Sequence, residues 1–293
     1  MPLKSLQITD GPILIAGPTA SGKSSLAIEI ADRFGGQIVN ADAIQVFDGW
    51  RILTARPSEE DEQQFPHRLY GHVPIDGDYS VGHWLRDVAP ILAEDKRPII
   101  VGGTGLYFTA LTAGLAQIPA SLLPVRLEAD KLRNSGQTAK MIQDLNDATR
   151  TRIDLNNPMR VQRAWEVLQS TGRNISDWQD ETPPPLLDIS DCTPIVINSP
   201  KEWLNARIEK RFNMMIADGA LDEARDNLEG WDPNRLSSKA IGAPELIAYL
   251  RGECDLESAK ERATIATRQY AKRQRTWIRS RMSDWVSFDP STA

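Results

Sequence analysis

The stretch GPTASGKS at residues 17–24 decides the fold. It has the form G-x-x-x-x-G-K-[ST], in which the glycines let successive backbone N–H groups converge on one anion. Lys23 can reach the terminal phosphates, and the Ser24 hydroxyl can ligate Mg²⁺. The apolar run Pro12–Ala16 predicts a buried strand before the loop, and helical apolar spacing after it continues to Gly35-Gly36. The sequence therefore predicts a polyphosphate site at a strand-to-helix turn.

The alternation of further elements predicts an α/β fold. Helical patterns separate apolar runs that are typical of strands, which favours a mainly parallel sheet with helices on both faces. These runs are Gln37–Ala41, Pro98–Val101 and Thr193–Asn198. Residues 121–189 lack a strand pattern and indicate helices, one of them capped by Asn157 and starting at Pro158. We therefore expect a catalytic core of residues 1–120 and 190–293 with a helical insertion of residues 121–189.

The composition of the 293-residue chain excludes several classes of protein. It is 41% hydrophobic and 25% charged, and no apolar run approaches the roughly 18 residues of a membrane span. The first residues lack the apolar region of a secretory signal. Its 2 cysteines are far apart, and its 3 histidines share no ligand spacing, which argues against a zinc site. We expect a cytoplasmic protein with no membrane association and, by default, a monomer.

Polar residues follow two of the predicted strands. Asp42 stands just beyond QIVNA, and Gly102-Gly103-Thr104 follows PIIV. Because ligands of open α/β sheets bind outside the carboxyl ends of the strands, these residues are candidates for the site. An aspartate there can ligate Mg²⁺, remove a proton from a nucleophile, or simply cap a turn. The residues alone leave these three roles open.

Two motifs of nucleotide hydrolases are missing from the sequence. Hydrolases of nucleoside triphosphates usually end a core strand with an aspartate that holds Mg²⁺, whereas PIIV runs into Gly-Gly-Thr. The guanine-reading motif Asn-Lys-x-Asp is also absent. A GTPase switch and an ATP motor are therefore disfavoured. Small-molecule P-loop kinases and transferases with another pyrophosphate donor remain.

A basic stripe near the end of the chain suggests a contact with nucleic acid. The net charge of −6 argues against a protein that coats nucleic acid indiscriminately. From Arg268 to Arg281, however, there are cations and no acid, and several share one face of a predicted helix. These are Arg268, Lys272, Arg275 and Arg279. The stripe is either a solvated helix face or a surface for backbone phosphates.

These segments together resemble the tRNA dimethylallyltransferases, also called tRNA isopentenyltransferases, over nearly the whole chain. The order and spacing of the segments, more than any one of them, carry the resemblance. They are GPTASGKS (17–24), NADAIQVF (40–47), RPIIVGGTGLY (97–107), NNPMRVQRAWEV (156–167) followed by TGR, SKAIG (238–242) and YAKRQRTWIR (270–279).

The resemblance implies a P-loop NTPase-like core and a specific reaction. The family transfers a dimethylallyl group from its diphosphate to the exocyclic N6 amine of the adenine on the 3′ side of the anticodon, and releases diphosphate. The loop would hold the donor's diphosphate with Mg²⁺. The reaction would therefore consume no ATP, although a loop of this form is commonly described as ATP-binding. The implied partners are tRNA, through its anticodon stem-loop, and dimethylallyl diphosphate.

The family motifs also imply roles for particular residues. Asp42 matches the general base, Thr104 is a second candidate catalytic residue, and Ser24 is the candidate metal ligand. Candidate diphosphate-binding residues are Gly17, Pro18, Thr19, Ala20, Ser21, Gly22, Lys23, Ser24 and, by a plausible match, Arg225. Candidate tRNA-binding residues are Asp42, Ala43, Ile44, Gln45, Thr104, Arg126, Met159, Arg160, Val161, Gln162, Arg163, Lys272 and Arg275.

The chain departs from the usual family pattern at several positions. The chain has Ala43-Ile44 where the family usually has Ser-Met, and Phe47 where it usually has Tyr. It has His67-Arg68 in place of a His-His pair. LTARP (Leu53–Pro57) replaces Gly-Thr-Ala-Lys-Pro, and Ile-Gly-Ala, ending at Ala243, replaces Ile-Gly-Tyr. The lost hydroxyls at Ala43 and Phe47 affect the expected contacts with adenine or tRNA.

Two other hypotheses compete with tRNA prenylation. One is an enzyme that prenylates free adenine nucleotides, or a small-molecule P-loop kinase, which would have no use for Arg160, Arg163 or the basic stripe. The other is an RNA-binding protein controlled by nucleoside triphosphate, which would transfer no prenyl group.

Overall fold

A computed structural model describes residues 6–292, which form two compact units. One unit contains the chain up to Thr112 and from Leu186 onward, and the other is Ala113–Pro185. The second unit both begins and ends earlier than the predicted insertion of residues 121–189. Among residues 6–292, no helix has both the length and the apolar character needed to cross a membrane.

The first unit contains a parallel sheet with the strand order β3-β2-β4-β1-β5-β6. Every neighbouring pair of strands is parallel. The strands are β1 (Ile13–Ala16), β2 (Gln37–Asn40), β3 (His67–Arg68), β4 (Pro98–Gly102), β5 (Thr193–Ile197) and β6 (Val286–Phe288). The prediction of an α/β fold with a mainly parallel sheet is confirmed.

Helices connect these strands and make up the second unit. Within the described residues they are α1 (Lys23–Phe34), α2 (Glu59–Gln64), α3 (Val81–Leu92), α4 (Gly105–Ala113), α5 (Leu123–Asn134), α6 (Thr138–Asp144), α7 (Asp147–Arg152), α8 (Pro158–Thr171), α9 (Ile175–Asp180), α10 (Lys201–Ala217), α11 (Ala220–Asp226), α12 (Ala243–Leu250) and α13 (Leu256–Arg281).

The sheet is buried on both faces, which explains the nearly continuous apolar character of its central strands. On one face, Ile13 and Ile15 of β1 pack with Ile30 of α1. On the other face, Leu14 packs in a cluster with Trp84 of α3 and Phe108 of α4. The central strands are therefore fixed by packing on both sides, and their carboxyl ends present loops at defined positions.

The loops after β1, β2 and β4 lie side by side because these three strands are neighbours in the sheet. The Gly17 N–H donates to the Gly102 carbonyl at 3.3 Å, and the Thr104 N–H donates to the Ala41 carbonyl at 3.2 Å. A Cβ atom at Gly102 would lie 2.0 Å from the Ala41 oxygen. Only glycine lets these loops approach so closely, which positions the residues that follow each strand.

The second unit is helical and has its own apolar core, built around Met141, Leu145 and Val161. As predicted, α8 begins after Asn157, whose Oδ1 accepts hydrogen bonds from the Met159 and Arg160 N–H groups, and ends at Gly172. Before α8 the chain forms two short helices, α6 and α7. Asn146 starts α7 as an N-cap by accepting a hydrogen bond from the Thr149 N–H at 2.8 Å.

Candidate active site

The phosphate loop joins β1 to α1 and surrounds an open space. Ala20 and Gly22 have positive φ angles of 61° and 91°, so the backbone turns in the left-handed region. The Lys23 ammonium donates to the Pro18 carbonyl at 2.7 Å. The buried Ser21 hydroxyl has no hydrogen-bond partner in the described part of the chain. The loop thus has the backbone form and a free hydroxyl suited to an anion.

A polar cavity of about 450 Å³ opens above this loop. Four cations line it, one of them in the loop, and Asp42 is the only acid among its lining residues in the described chain. The cations are Lys23, Arg207, Lys210 and Arg211. Such an excess of positive charge matches a polyphosphate.

The helix α10 supplies three of these cations. Arg207 and Arg211 lie four residues apart and therefore face the same side of the helix. The Arg207 Nε donates to the Ala20 carbonyl of the phosphate loop at 2.9 Å. The guanidinium of Arg207 also stacks on Trp203 at 4.6 Å from the ring centroid. The hydrogen bond to Ala20 holds α10 beside the loop, and the stack on Trp203 of the same helix orients the Arg207 side chain.

Burial lowers the pKa of two cations that line the polar cavity. It lowers the pKa of Lys23 to about 8, and Arg211 adds to the decrease while the Asp42 carboxylate opposes it. Burial also lowers the pKa of Arg211, again opposed by Asp42, with a further decrease caused by Arg207. Poorly solvated cations of this kind gain more from an incoming anion than fully hydrated ones.

A second cavity, of about 520 Å³ and mainly apolar, adjoins the polar cavity. Five residues line both cavities, and among them Asp42 and Arg211 carry charge. The shared residues are Thr19, Ala20, Asp42, Thr54 and Arg211. A molecule with an anionic head and an apolar tail can therefore lie with its head at the phosphate loop and its tail in the apolar cavity.

Asp42 is held at this junction by its own turn. Its N–H donates to the Asn40 Oδ1 at 2.8 Å, and its Oδ1 accepts from the Ile44 N–H at 3.0 Å. The next residue, Ala43, donates its N–H to the Thr104 Oγ1 at 3.0 Å. No hydrogen bond from residues 6–292 occupies the Asp42 Oδ2, which leaves this oxygen able to accept a proton.

The last helix, α13, contributes one wall of the apolar cavity. Tyr270, Arg273 and Trp277 line this wall, and Arg273 lies 5.7 Å from the Tyr270 ring centroid. Burial raises the pKa of Tyr270, and Asp42 adds to the increase, so its phenol stays neutral. The aromatic faces and the guanidinium are surfaces on which a nucleobase can stack.

Buried Gln274 ties α13 to the phosphate loop. Its Oε1 accepts from the Thr19 N–H at 2.8 Å, and its Nε2 donates to the Gly103 carbonyl at 3.0 Å. Gln274 therefore joins α13 to two loops of the site. It was not predicted as a site residue, and its position within the basic stripe gives no signal of burial.

The structure brings most of the predicted site residues of the first unit to the two cavities. Among the lining residues, Ser24 and Gln45 border the polar cavity, while Ala43, Ile44 and Thr104 border the apolar one. The Gln45 side chain donates to the Thr54 and Ala55 carbonyls, so it shapes the cavity wall.

The structure places Arg225 differently from the prediction. It lies on α11, pairs with Asp222 and lines neither cavity. Arg207 and Arg211, which sequence reasoning missed, occupy the expected position beside the phosphate loop. The available signal was two arginines four residues apart on the helix that follows β5, a neighbour of β1 in the sheet.

Some of the predicted RNA-contacting residues of the second unit are exposed, and others are buried. Met159 is 59% exposed, and Arg126, Arg160 and Arg163 are also exposed. By contrast, Val161 and Gln162 are 0% and 6% exposed, because helical periodicity points them into the core of the unit. The prediction that Val161 and Gln162 contact RNA is therefore corrected.

The two cations predicted from the basic stripe remain accessible. Lys272 is exposed and Arg275 is partly exposed on α13, and no ion pair within residues 6–292 involves either. Their neighbour Arg268 pairs with Glu209 at 3.0 Å. Lys272 and Arg275 can therefore bind an external phosphate without first breaking an internal ion pair.

The polar cavity fits a Mg²⁺ ion that arrives with its anion. The exposed Ser24 hydroxyl lines the cavity, and the orphaned Ser21 hydroxyl lies in the same loop. No group of three or more His, Cys, Asp or Glu side chains among residues 6–292 could hold a metal by itself. This donor set suits Mg²⁺, which typically uses one or two protein ligands, substrate phosphates and water.

Fold and site together define a P-loop α/β protein, and comparison with known proteins gives its family. The IPP transferase family model matches residues 45–281, and the isopentenyl transferase model matches residues 12–72. The chain therefore belongs to the IPP transferase family.

Individual relatives agree with this assignment. The chain is 59% identical over 281 residues to a tRNA dimethylallyltransferase of Ruegeria, covering 96% of each chain. It is similar to the solved tRNA isopentenylpyrophosphate transferase of Bacillus halodurans, with 28% identity, a TM-score of 0.68 and coverage of 96% of this chain and 90% of that one. A eukaryotic dimethylallyltransferase solved acting on tRNA is 27% identical, with a TM-score of 0.80 and coverage of 96% and 74%.

Proposed function

We propose that this protein transfers a dimethylallyl group from dimethylallyl diphosphate to the N6 amine of the adenine 3′-adjacent to the anticodon in tRNA. The observation that carries the proposal is the meeting of a cationic cavity and an apolar cavity at Asp42 and Arg211. Relatives named for this activity span nearly the whole chain. Their names favour tRNA over a free adenine nucleotide as the acceptor, and favour transfer over phosphorylation.

The reaction forms one bond and breaks another at the allylic carbon of the donor. The bond from N6 of adenine to this carbon forms while the bond from the carbon to the diphosphate oxygen breaks. The electron pair of the broken bond leaves with diphosphate, and the N6 proton passes to the Asp42 carboxylate. Asp42 matters because the lone pair of an adenine amine is delocalised into the ring, which makes the amine a poor nucleophile.

The phosphate loop and α10 stabilise the leaving group. The loop, Lys23 and Arg211 line the polar cavity, which would hold the diphosphate as negative charge develops on it during bond breaking. Mg²⁺, held by Ser24 and the donor's phosphates, would further neutralise this charge. The apolar cavity excludes water from the allylic carbon, which favours the amine over hydrolysis.

The acceptor adenine would enter the apolar cavity from the side of α13. A base in an RNA loop can be extruded at a cost of a few kcal/mol and stacked on aromatic side chains. Tyr270 and Trp277 offer such surfaces. Lys272 and Arg275 would bind backbone phosphates near this entrance, and Arg126, Arg160 and Arg163 of the second unit would bind other parts of the tRNA. The described chain builds both cavities without a second copy, which supports a monomer, and tRNA as the acceptor supports a cytoplasmic location.

A transfer assay tests the proposed function. The protein is incubated with Mg²⁺, radiolabelled dimethylallyl diphosphate and either unmodified tRNA or AMP. Label should appear in tRNA at the adenine next to the anticodon and not in AMP. Label in AMP alone would support an adenylate prenyltransferase. Tight ATP binding without label in either acceptor would support an RNA-binding protein.

The double variant Arg160→Ala/Arg163→Ala tests the RNA-binding role of the second unit. Since both side chains are exposed on α8, the variant should raise the KM for tRNA by about tenfold while donor affinity stays unchanged. The charge-matched control Lys131→Ala/Lys140→Ala removes two exposed cations from α5 and α6 and should alter neither constant. A change limited to donor affinity would contradict the assignment.

The lowered pKa of Lys23 predicts a pH-dependent donor affinity. Below its pKa of about 8 the ammonium is charged, and as the pH rises through this value the charge is lost. The KM for the donor should therefore rise by about tenfold between about pH 7 and pH 9.5. The Lys23→Arg variant keeps its charge over this range and should give a flatter profile. A flat profile for the unchanged protein would rule out Lys23 as the titrating group.

A further inference from the structure

Three apolar side chains of the cavity lining, Leu53, Phe212 and Met215, form what we call the cavity floor. They are only 6%, 5% and 9% exposed. All three also belong to a buried cluster that includes Trp50 and Leu246. Close-packed core side chains lie directly behind the floor. The cavity therefore cannot become deeper unless these side chains are displaced.

Leu53 is fixed in the floor through its backbone. The Glu223 carboxylate of α11 accepts hydrogen bonds from the N–H groups of Arg51, Ile52 and Leu53, the last two at 2.8 and 2.9 Å. Hydrogen bonds to a charged acceptor are stronger than those between neutral groups. The turn that carries Leu53 is therefore held in place by one carboxylate.

The Leu53 side chain also has little space behind it. A Cβ atom at Gly242 would lie 2.8 Å from the Leu53 Cδ2 and 2.9 Å from the Phe212 Cε2. Both side chains thus already fill the space against the Gly242 backbone. Leu53 cannot move back to admit a longer ligand without displacing this packing.

The Leu53 side chain fills part of the cavity floor. A glycine at this position would leave a space the size of the leucine isobutyl group. An isobutyl group is nearly as large as one isoprene unit. The side chain of this single residue therefore determines whether the floor has room for about one further isoprene unit.

The chemistry of the cavity lining indicates which substrate faces the floor. Tyr270 and Trp277 present π faces and Arg273 presents hydrogen-bond donors, which suit a nucleobase. The floor carries no polar side-chain atom, since its described members are Leu53, Phe212 and Met215. A hydrocarbon tail attached to a diphosphate is the ligand that matches it.

We propose that Leu53 determines the donor chain length, closing the floor against prenyl groups longer than dimethylallyl. The inference rests on the proposed function and names the specificity residue of the same site. A misfit of one methylene in an apolar pocket typically costs about 10- to 200-fold in kcat/KM. For geranyl diphosphate, which adds a whole isoprene unit, we expect kcat/KM to be at least about 100-fold lower than for dimethylallyl diphosphate.

The experiment measures kcat/KM for both donors with unmodified tRNA in three variants. Leu53→Gly removes the whole side chain, and Leu53→Ala is a second variant in case the first folds poorly. Leu250→Ala is the matched control, because Leu250 packs against the same cluster but does not line the cavity. Competition of geranyl diphosphate for donor binding is measured alongside, since it does not require transfer.

Both Leu53 variants should reduce the preference for dimethylallyl diphosphate by at least about tenfold and should bind geranyl diphosphate more tightly. The Leu250→Ala variant should keep the preference of the unchanged protein. An unchanged preference and unchanged geranyl diphosphate binding in both Leu53 variants would overturn the inference. So would equal use of both donors by the unchanged protein. Absence of any transfer to tRNA by the unchanged protein would instead contradict the proposed function.

Discussion

The Asp42→Asn variant should lose about 10²–10⁴-fold in turnover while still binding dimethylallyl diphosphate. The amide keeps the shape of the side chain and its hydrogen bond from the Ile44 N–H, but it cannot accept the N6 proton. Because the negative charge of Asp42 faces the diphosphate across the junction of the cavities, its removal should not weaken donor binding. Single-turnover transfer and separate donor titration distinguish the two effects.

Asp48→Asn is the control for this variant. Asp48 lies six residues further along the same loop, is exposed and lines neither cavity. It should turn over at the rate of the unchanged protein. If Asp42→Asn retained turnover within about twofold, Asp42 could not be the base, since a positioned base contributes far more than that.

The Arg211→Ala variant should lose about 10²–10³-fold in kcat/KM for the donor. Its guanidinium lines both cavities and carries a charge that burial has partly desolvated, so it should stabilise diphosphate as the carbon–oxygen bond breaks. Removing one such donor from a preorganised site has effects of this size in other enzymes. Steady-state kinetics with varied donor and saturating tRNA measure the loss.

Arg225→Ala is the matched control, since it removes the same side chain from the neighbouring helix. Arg225 is paired with exposed Asp222, and a surface pair of this kind contributes about 0–1 kcal/mol. Its replacement should change kcat/KM by no more than about twofold. A large loss with Arg225→Ala and none with Arg211→Ala would contradict the role given to Arg211. Arg225, which the sequence suggested, would then be the diphosphate-binding cation.

The predictable parts of the fold are the segments in which the local sequence pattern matches the burial of the segment in the structure. The loop at residues 17–24 and the four apolar runs at β1, β2, β4 and β5 give the parallel sheet, because strands buried on both faces are apolar throughout. The edge strands β3 and β6 were missed. They have 2 and 3 residues, too few for a periodic pattern, and they form only because a neighbouring strand offers hydrogen-bonding groups.

The site was predictable where residues directly follow strands. Lys23, Asp42 and Thr104 are close to one another because parallel strands end at one edge of the sheet. Arg211 and Gln274 escaped prediction because they lie inside long helices, where only the packing of α10 and α13 on the loops brings them to the site. A sequence pattern shows which face of a helix is polar, but not which loop that face meets.

Exposure within the second unit was only partly predictable. The segment Met159–Arg163 was read as one contact surface, although a helix turns successive residues through about 100°. Met159, Arg160 and Arg163 therefore point outward while Val161 and Gln162 enter the core. Helical geometry applied to α8 would have separated these two groups.

The bridge formed by Gln274 limits how α13 can change during evolution. One residue inserted or deleted within α13 before Gln274 would rotate the amide by about 100° around the helix axis and shift it by about 1.5 Å. The Thr19 amide and the Gly103 carbonyl would then lose their shared partner. The same slip would turn Lys272 and Arg275 away from their present direction. Substitutions can accumulate along this helix. The number of α13 residues before Gln274, however, cannot change by even one without breaking the bridge.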